Sequence, residues 1–293
     1  MAVVEGYRHP ELLAEPDWVL EHREDSDVRL IDCRKIEAYR EAHLPGAVLL
    51  PMLEDPGTAS PLWLKSPTDA NHVVGPDDFA KLMGRAGVSN DTTVVCYSDA
   101  AMFATRLWWV LNYYGHTKAK VLNGGWRRWI SEGRPVTTAE SNPPHAKFAP
   151  RTHPERICLV DDLMARYTSP KVHVLNVLPE GMYAGRDNRF DNKHPGHIPG
   201  SINIDSDHFL DETGAFKSAS QLSEILSAAG VTQDREVIVH CQGGIRTTIG
   251  VFVLSLLGRE RVRAYDGSMG EWSNRDDTPV TMKTTHVQSR GDR

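Results

Sequence analysis

The chain contains a second copy of itself. Thr93–Trp129, TVVCYSDAAMFATRLWWVLNYYGHTKAKVLNGGWRRW, aligns without a gap on Glu236–Trp272, EVIVHCQGGIRTTIGVFVLSLLGRERVRAYDGSMGEW, at a constant offset of 143 residues. The alignment pairs Gly115 with Gly258, Leu111 with Leu254, Gly124 with Gly267 and Trp129 with Trp272. Upstream, Leu30–Pro51 matches Val174–Ile204, with His43-Leu-Pro-Gly opposite His197-Ile-Pro-Gly. The second copy carries about ten extra residues between Tyr183 and His197. A period this long implies two duplicated domains rather than a solenoid, whose units run to about 20–50 residues. The length of 293 residues agrees, at roughly 150 residues per domain. Thr137–Pro154, rich in Pro, Ser and Thr and without an apolar stripe, reads as a linker. The expected division is residues 1–140, a linker at 141–155, and residues 156–293.

Both copies follow one pattern. β-Branched runs predict strands at Val28–Asp32 and Lys171–Leu175, at Ala47–Leu50 and Ser201–Ile204, at Thr93–Tyr97 and Glu236–His240, and at Lys120–Leu122 and Val262–Tyr265. Helical stretches fall between them, at Pro76–Gly87 and Ser218–Gly230, then near Met102–Tyr114 and Thr247–Leu257. Strands alternating with helices imply α/β architecture, each unit a parallel sheet with helices on both faces.

Composition excludes several classes. A net charge of −6 leaves no basic surplus to neutralise phosphates, which argues against a nucleic-acid partner. The longest clean apolar run, Ile249–Gly258, is far short of the roughly 18 residues of a membrane span. The segment Met1–Pro10 lacks an apolar stretch of signal-peptide length, so a cytoplasmic protein is expected. Cys33, Cys96, Cys158 and Cys241 form no Cys-x-x-Cys pair, and no cluster has metal-ligand spacing, so neither a metal nor another cofactor is expected. Cys33, Cys96 and Cys158 read as small buried hydrophobes.

Cys241 differs. The strand ending at His240 runs directly into Cys241-Gln-Gly-Gly-Ile-Arg246, and that loop runs into a helix. This puts Cys241 at the carboxyl end of a parallel strand, where open α/β sheets bind ligands. Gly243 and Gly244 let the backbone curl, so that the amides of Gln242, Gly243, Gly244, Ile245, Arg246 and Thr247 can face one concavity. The helix N-terminus and Arg246 add positive potential. Each feature favours a thiolate, so Cys241 reads as a nucleophile. Only four residues separate Cys241 from Arg246, fewer than in the phosphate-holding loop of cysteine phosphatases. The smaller ring suits a single sulfur atom on the cysteine.

With these motifs the chain resembles a tandem-domain rhodanese, a sulfurtransferase, from about Val28 to Pro279. Cys241–Arg246 fits the Cys-x-x-Gly-x-Arg loop of rhodanese-like domains, and His197–Asn203, Tyr265–Trp272 and Leu122–Trp126 are also family-like. The resemblance implies that Cys241 takes the outer sulfur of thiosulfate or 3-mercaptopyruvate, becomes a persulfide, and gives the sulfur to cyanide, a thiol or a protein cysteine. The loop amides would stabilise the persulfide anion. The first copy has Ser98 where the second has Cys241, and its loop lacks the glycines and the arginine. It is expected to be non-catalytic and to supply one wall of the cleft.

The sequence also departs from that family. Members using these donors often carry arginines where Met182 and Leu178 stand here, and an aspartate at Asn176. Arg186, Arg189 and Lys193 in the inserted segment could restore positive charge, with Arg186 and Arg189 as candidate substrate contacts. His43 and His197 read as turn residues, and His240 as facing away from the Cys241 side. Thiosulfate is the expected donor, because the loop carries one net positive charge. The second reading is a persulfide carrier that exchanges sulfur with partner proteins. A phosphatase or arsenate reductase is disfavoured by loop length, and a non-catalytic binding module by the intact cysteine loop.

Overall fold

A computed structural model describes residues 6–50 and 73–282. Residues 1–5, 51–72 and 283–293 lie outside the described residues, and with them the outer ends of both expected domain ranges, the first half of Met1–Pro10 and the final proline of the Leu30–Pro51 repeat. The first unit runs β1 (Leu13–Ala14), α1 (Pro16–His22), β2 (Val28–Asp32), α2 (Ile36–Glu41), β3 (Val48–Leu49), α3 (Pro76–Arg85), β4 (Thr93–Tyr97), α4 (Ala101–Tyr113), β5 (Ala119–Leu122) and α5 (Gly125–Ser131). The second runs β6 (Ile157–Cys158), α6 (Val160–Arg166), β7 (Val172–Asn176), α7 (Glu180–Tyr183), β8 (Ile202–Asn203), α8 (Ala219–Ala228), β9 (Glu236–His240), α9 (Thr247–Leu256), β10 (Val262–Tyr265) and α10 (Ser268–Trp272).

Each unit is a five-stranded, all-parallel sheet, ordered β1-β5-β4-β2-β3 in the first and β6-β10-β9-β7-β8 in the second. The α/β class expected from the alternating pattern is the one observed. The central strands are buried on both faces, which is why they read as continuous apolar runs. Local chemistry sets the helix starts. Pro76 and two aspartates open α3, and Ser218 with Gln221 forms a capping box on α8. Residues 137–153 carry no helix and only a single bridge at Thr137, yet they are packed. Phe148 sits edge-on to Phe79 at 5.7 Å, and Ala149 exchanges two hydrogen bonds with the Asn90 side chain.

The two units meet along α4 and α9. Both helices are buried over most of their length, each covered by its own sheet and by the other helix. Thr105 and Thr248, equivalent positions of the repeat, hydrogen-bond to each other at 2.9 Å. Trp108 packs edge-on against Phe252 at 4.8 Å. The seam also contains a buried ion pair. Arg106 of α4 binds Asp266 of the second unit through Nη1–Oδ1 at 2.6 Å and Nη2–Oδ2 at 3.2 Å, with its guanidinium over the Trp109 ring. Both residues are essentially inaccessible to solvent.

Breaking a buried pair from one side is costly, because the remaining charge keeps its desolvation penalty. Arg106→Ala is therefore expected to lower unfolding stability by about 3 kcal/mol, whereas Arg106→Met combined with Asp266→Leu stays closer to wild type. Urea unfolding of the three proteins measures the difference.

Candidate active site

Strand β9 delivers Cys241 to the carboxyl edge of the second sheet, and the loop 241–246 turns the chain directly into α9. Gly244 adopts φ +80°, a conformation open to glycine at little cost. Cys241 is almost buried, and it forms part of the wall of a cavity of about 460 Å³. The residue thus stands between the packed core and a ligand-sized space.

A second loop holds the first in place. The Cys241 amide donates to Ser268 Oγ at 3.1 Å, and the Ser268 hydroxyl donates to the Tyr265 carbonyl at 2.8 Å. Ser268 Oγ also lies 4.0 Å from Cys241 Sγ and 3.4 Å from Thr247 Oγ1. The Met269 amide donates to the Cys241 carbonyl and the Gly270 amide to the Gln242 carbonyl. Ser268 holds φ +53°, matching Gly125 of the first copy at +54°. A side chain in that left-handed region is unfavourable, and its presence beside Cys241 marks a strained position with a local use. Behind the loop, Arg106 Nη1 lies 3.4 Å from the Gly244 carbonyl, so the interdomain ion pair also touches the nucleophile loop.

The amides of Gln242, Gly243, Gly244, Ile245, Arg246 and Thr247 donate no hydrogen bond to any other described group of the chain. Thr248 Oγ1 instead closes onto the Ile245 carbonyl at 2.7 Å. Arg246 is not turned to the sulfur alone. Its Nη1 binds Ser206 Oγ at 2.9 Å and Asp207 Oδ1 at 3.0 Å, with Asp205 Oδ1 at 3.6 Å. The positive charge read from the loop sequence is thus answered by two carboxylates from the turn Ser206–Phe209 and its cap.

The inserted segment forms one wall. Arg189 and Phe190 line the cavity, whereas Arg186 pairs with Glu180 at the exposed surface and is not among the lining residues. Lys193 pairs with Asp276. Met102 and Phe103, at the start of α4, bring the first domain to the cavity. Ser98 faces a separate cavity of about 310 Å³ shared with Asp207 and Arg246, and its hydroxyl donates to Asp99.

His240 is buried, and neither ring nitrogen makes a well-formed hydrogen bond. Burial pushes its pKa down to about 3, so the ring is neutral and unsuited to proton exchange at the site. His43 and His197 stack on Tyr39 and Tyr183 in matching turns. Burial raises the Cys33 and Cys96 thiols well above their ordinary range and the Cys158 thiol to about 12. Sequence reasoning singled out the Cys241 loop. It gave no site role to Arg106, Phe190 or Ser268, although Ser268 lies within the Tyr265–Trp272 motif.

Two parallel-sheet domains and a cysteine loop of this form define a class, and the family comparison agrees. Residues 15–132 and 159–275 each match the rhodanese-like domain. The chain belongs to the rhodanese family, as a tandem-domain member, and it is a sulfurtransferase of the rhodanese type. It is 34% identical over 288 residues to the sulfur carrier protein TtuD of Thermus thermophilus, covering 94% of this chain and 98% of that protein. It is 31% identical over 255 residues to the thiosulfate sulfurtransferase of Gallus gallus, with 86% and 85% covered. It is 28% identical over 276 residues to the 3-mercaptopyruvate sulfurtransferase of Escherichia coli K12, with 90% and 95% covered. The solved anaerobic ergothioneine biosynthesis enzyme of Chlorobium limicola, in complex with trimethyl histidine, has a TM-score of 0.83 at 21% identity, covering 96% of this chain and 72% of that one. That likeness is one of fold. Among the described residues no helix is long and apolar enough to cross a membrane.

Two outcomes are expected. Iodoacetamide at neutral pH should label Cys241 first and leave Cys241→Ser unlabelled, read by peptide mass spectrometry, since Cys241 lines a cavity while burial raises the other three thiols. The second concerns acid stability. The unfolded chain protonates His240 near the usual value of about 6.5, and the folded chain only near 3. Unfolding therefore takes up a proton across that interval. The His240 contribution is intact above pH 7 and declines as pH falls from about 6.5 toward 3. His240→Leu should show a smaller drop in melting temperature between pH 7 and pH 4.5.

Proposed function

We propose that Cys241 carries a sulfane sulfur between a small donor and a thiophilic acceptor as a persulfide. With thiosulfate, the Cys241 thiolate attacks the outer sulfur. The new S–S bond forms as the old one breaks, and sulfite leaves with the electron pair. With 3-mercaptopyruvate the leaving carbon takes up the thiol proton and departs as pyruvate. Cyanide, a thiol or a protein cysteine then attacks the terminal sulfur and restores the thiolate. The reading is carried by one observation: a cysteine at the cavity wall whose loop leaves six consecutive amides without a partner among the described residues. Such amides, at the start of a ten-residue helix, stabilise a persulfide anion without reorganising. Gln242, Gly243, Gly244, Ile245, Arg246 and Thr247 are the binding loop in this scheme. Arg189 is the inserted arginine placed to meet a donor. Arg186, held at the surface, has a structural pairing instead.

The first domain, with Ser98 at the equivalent position, acts as a non-catalytic partner that supplies Met102 and Phe103 to the wall. The reduced thiol that this chemistry needs suits the cytoplasmic setting expected from the sequence. A second reading, a persulfide carrier that exchanges sulfur with partner proteins, is favoured by the 34% identity to a sulfur carrier protein.

Intact mass after incubation with thiosulfate or 3-mercaptopyruvate should rise by about one sulfur atom, and the gain should be absent in Cys241→Ser. Cyanide should remove the added mass. An adduct that survives in Cys241→Ser would refute the assignment, and loading only from a partner persulfide would favour the carrier reading.

A further inference from the structure

The cavity over Cys241 is apolar on most sides. Met102 and Phe103 from the first domain, and Leu178, Met182, Phe190 and Ile245 from the second, form its walls. Of the residues lining it, only Arg189 and Arg246 are charged. Arg246 is bound by Ser206 and Asp207. Arg189 is bound by Asp187 at the exposed rim, a pair that solvent weakens. A doubly charged inorganic donor would therefore lose hydration on entry and meet only guanidinium groups already paired with carboxylates.

The repeat shows what has changed. In the first copy Asp32 holds Arg34 through Nε at 3.0 Å and Nη2 at 2.7 Å, and Tyr97 donates to the same carboxylate at 2.6 Å. The strand pairings Asp32–Tyr97 and Asn176–His240 are equivalent, which puts Leu178 where the first copy has Arg34. The second copy has exchanged a guanidinium for a butyl side chain, and that side chain lines the cavity. The inserted segment then adds an aromatic wall. Its Asn192 and the Gln242 side chain exchange two hydrogen bonds, at 2.7 and 3.1 Å. The Lys193 amide donates to Asn274 Oδ1 at 2.9 Å and the His194 amide to the Ser273 carbonyl at 3.0 Å. The first two bonds tie the segment that carries Phe190 to the Cys241 loop, and the others tie it to the end of α10.

We propose, on the persulfide reading above, that the site selects an organic sulfane-sulfur donor: an aryl or alkyl body with a terminal transferable sulfur and a single negative charge. The body packs on the apolar wall, and only the reacting sulfur reaches the loop amides. For an arene thiosulfonate, the Cys241 thiolate attacks the terminal sulfur. The bond from that sulfur to the sulfonyl group breaks, and its electron pair leaves on the sulfinate. Charge and atoms balance with no external oxidant.

Benzenethiosulfonate and thiosulfate, each with cyanide as acceptor and the full chain as enzyme, test the selection. Wild-type kcat/KM should favour benzenethiosulfonate by about tenfold or more. Phe190→Ala, at an exposed position that folding tolerates, should lower kcat/KM for benzenethiosulfonate by about tenfold more than that for thiosulfate. Met182→Arg should shift preference toward thiosulfate. A wild-type preference for thiosulfate, or an equal loss of both activities in Phe190→Ala, overturns the proposal. Intact mass separates the two levels of failure. Sulfur on Cys241 from thiosulfate alone leaves the persulfide standing and removes the selection, whereas no sulfur from either donor removes both.

Discussion

The active cavity depends on the contact between α4 and α9. Neither helix could present so much apolar surface to water, and each is buried because the other covers it. Arg106 and Asp266 cross this seam with both charges withdrawn from solvent. Such a pair contributes less to net stability than to specifying one arrangement, since any slip leaves a charge unpaired. The arrangement specified puts Met102 and Phe103 over Cys241 and the Arg106 guanidinium behind the Gly244 carbonyl. A domain without a cysteine at its own loop is thereby made part of the other domain's site.

The duplicated units have diverged mainly in where they place charge. The first keeps a buried Asp32–Arg34–Tyr97 cluster with the guanidinium 3.7 Å from the Trp126 ring centroid. The second has Asn176, Leu178 and His240 at those positions. Asn176 retains part of the job: its Oδ1 accepts from the Leu178 amide at 2.9 Å, as Asp32 Oδ1 accepts from the Arg34 amide. The turn is preserved while the charge is gone. His240 fills the remaining space as a neutral ring, a costly choice for a polar group without good partners.

Much of this was legible in the sequence, and the boundary follows from physics. Strands β2, β4, β7, β9 and β10 announced themselves because a parallel sheet buried on both faces demands β-branched runs. The two-residue edge strands Leu13–Ala14 and Ile157–Cys158 are too short to carry any pattern. The Cys241 loop was visible because its parts are adjacent in the chain. Arg106 was not, because its partner lies 160 residues away and its own position in the repeat is occupied by Ile249 in the other copy. Phe190 carried no signal in the sequence, since only the folded chain shows Asn192 clasping Gln242. Arg246 was read correctly as a loop cation. Its carboxylate partners were not legible for the same reason, because Asp205 and Asp207 come from a distant turn.

On the persulfide reading, those carboxylates bear on how an anion is held at the loop. With the Arg246 charge largely balanced by Asp207 and Asp205, stabilisation of a negative sulfur falls to the backbone. The N-terminus of α9 contributes about half a positive charge, and hydrogen bonds from amides to an ionised acceptor are roughly twice as strong as neutral ones. Their strength grows as water is excluded, which the apolar wall accomplishes. An apolar cavity and an amide-lined loop are then parts of one solution. The wall lowers the local dielectric, the amides supply fixed dipoles that need no reorganisation, and a compensated arginine limits the attraction for multiply charged ions that a bare guanidinium would exert.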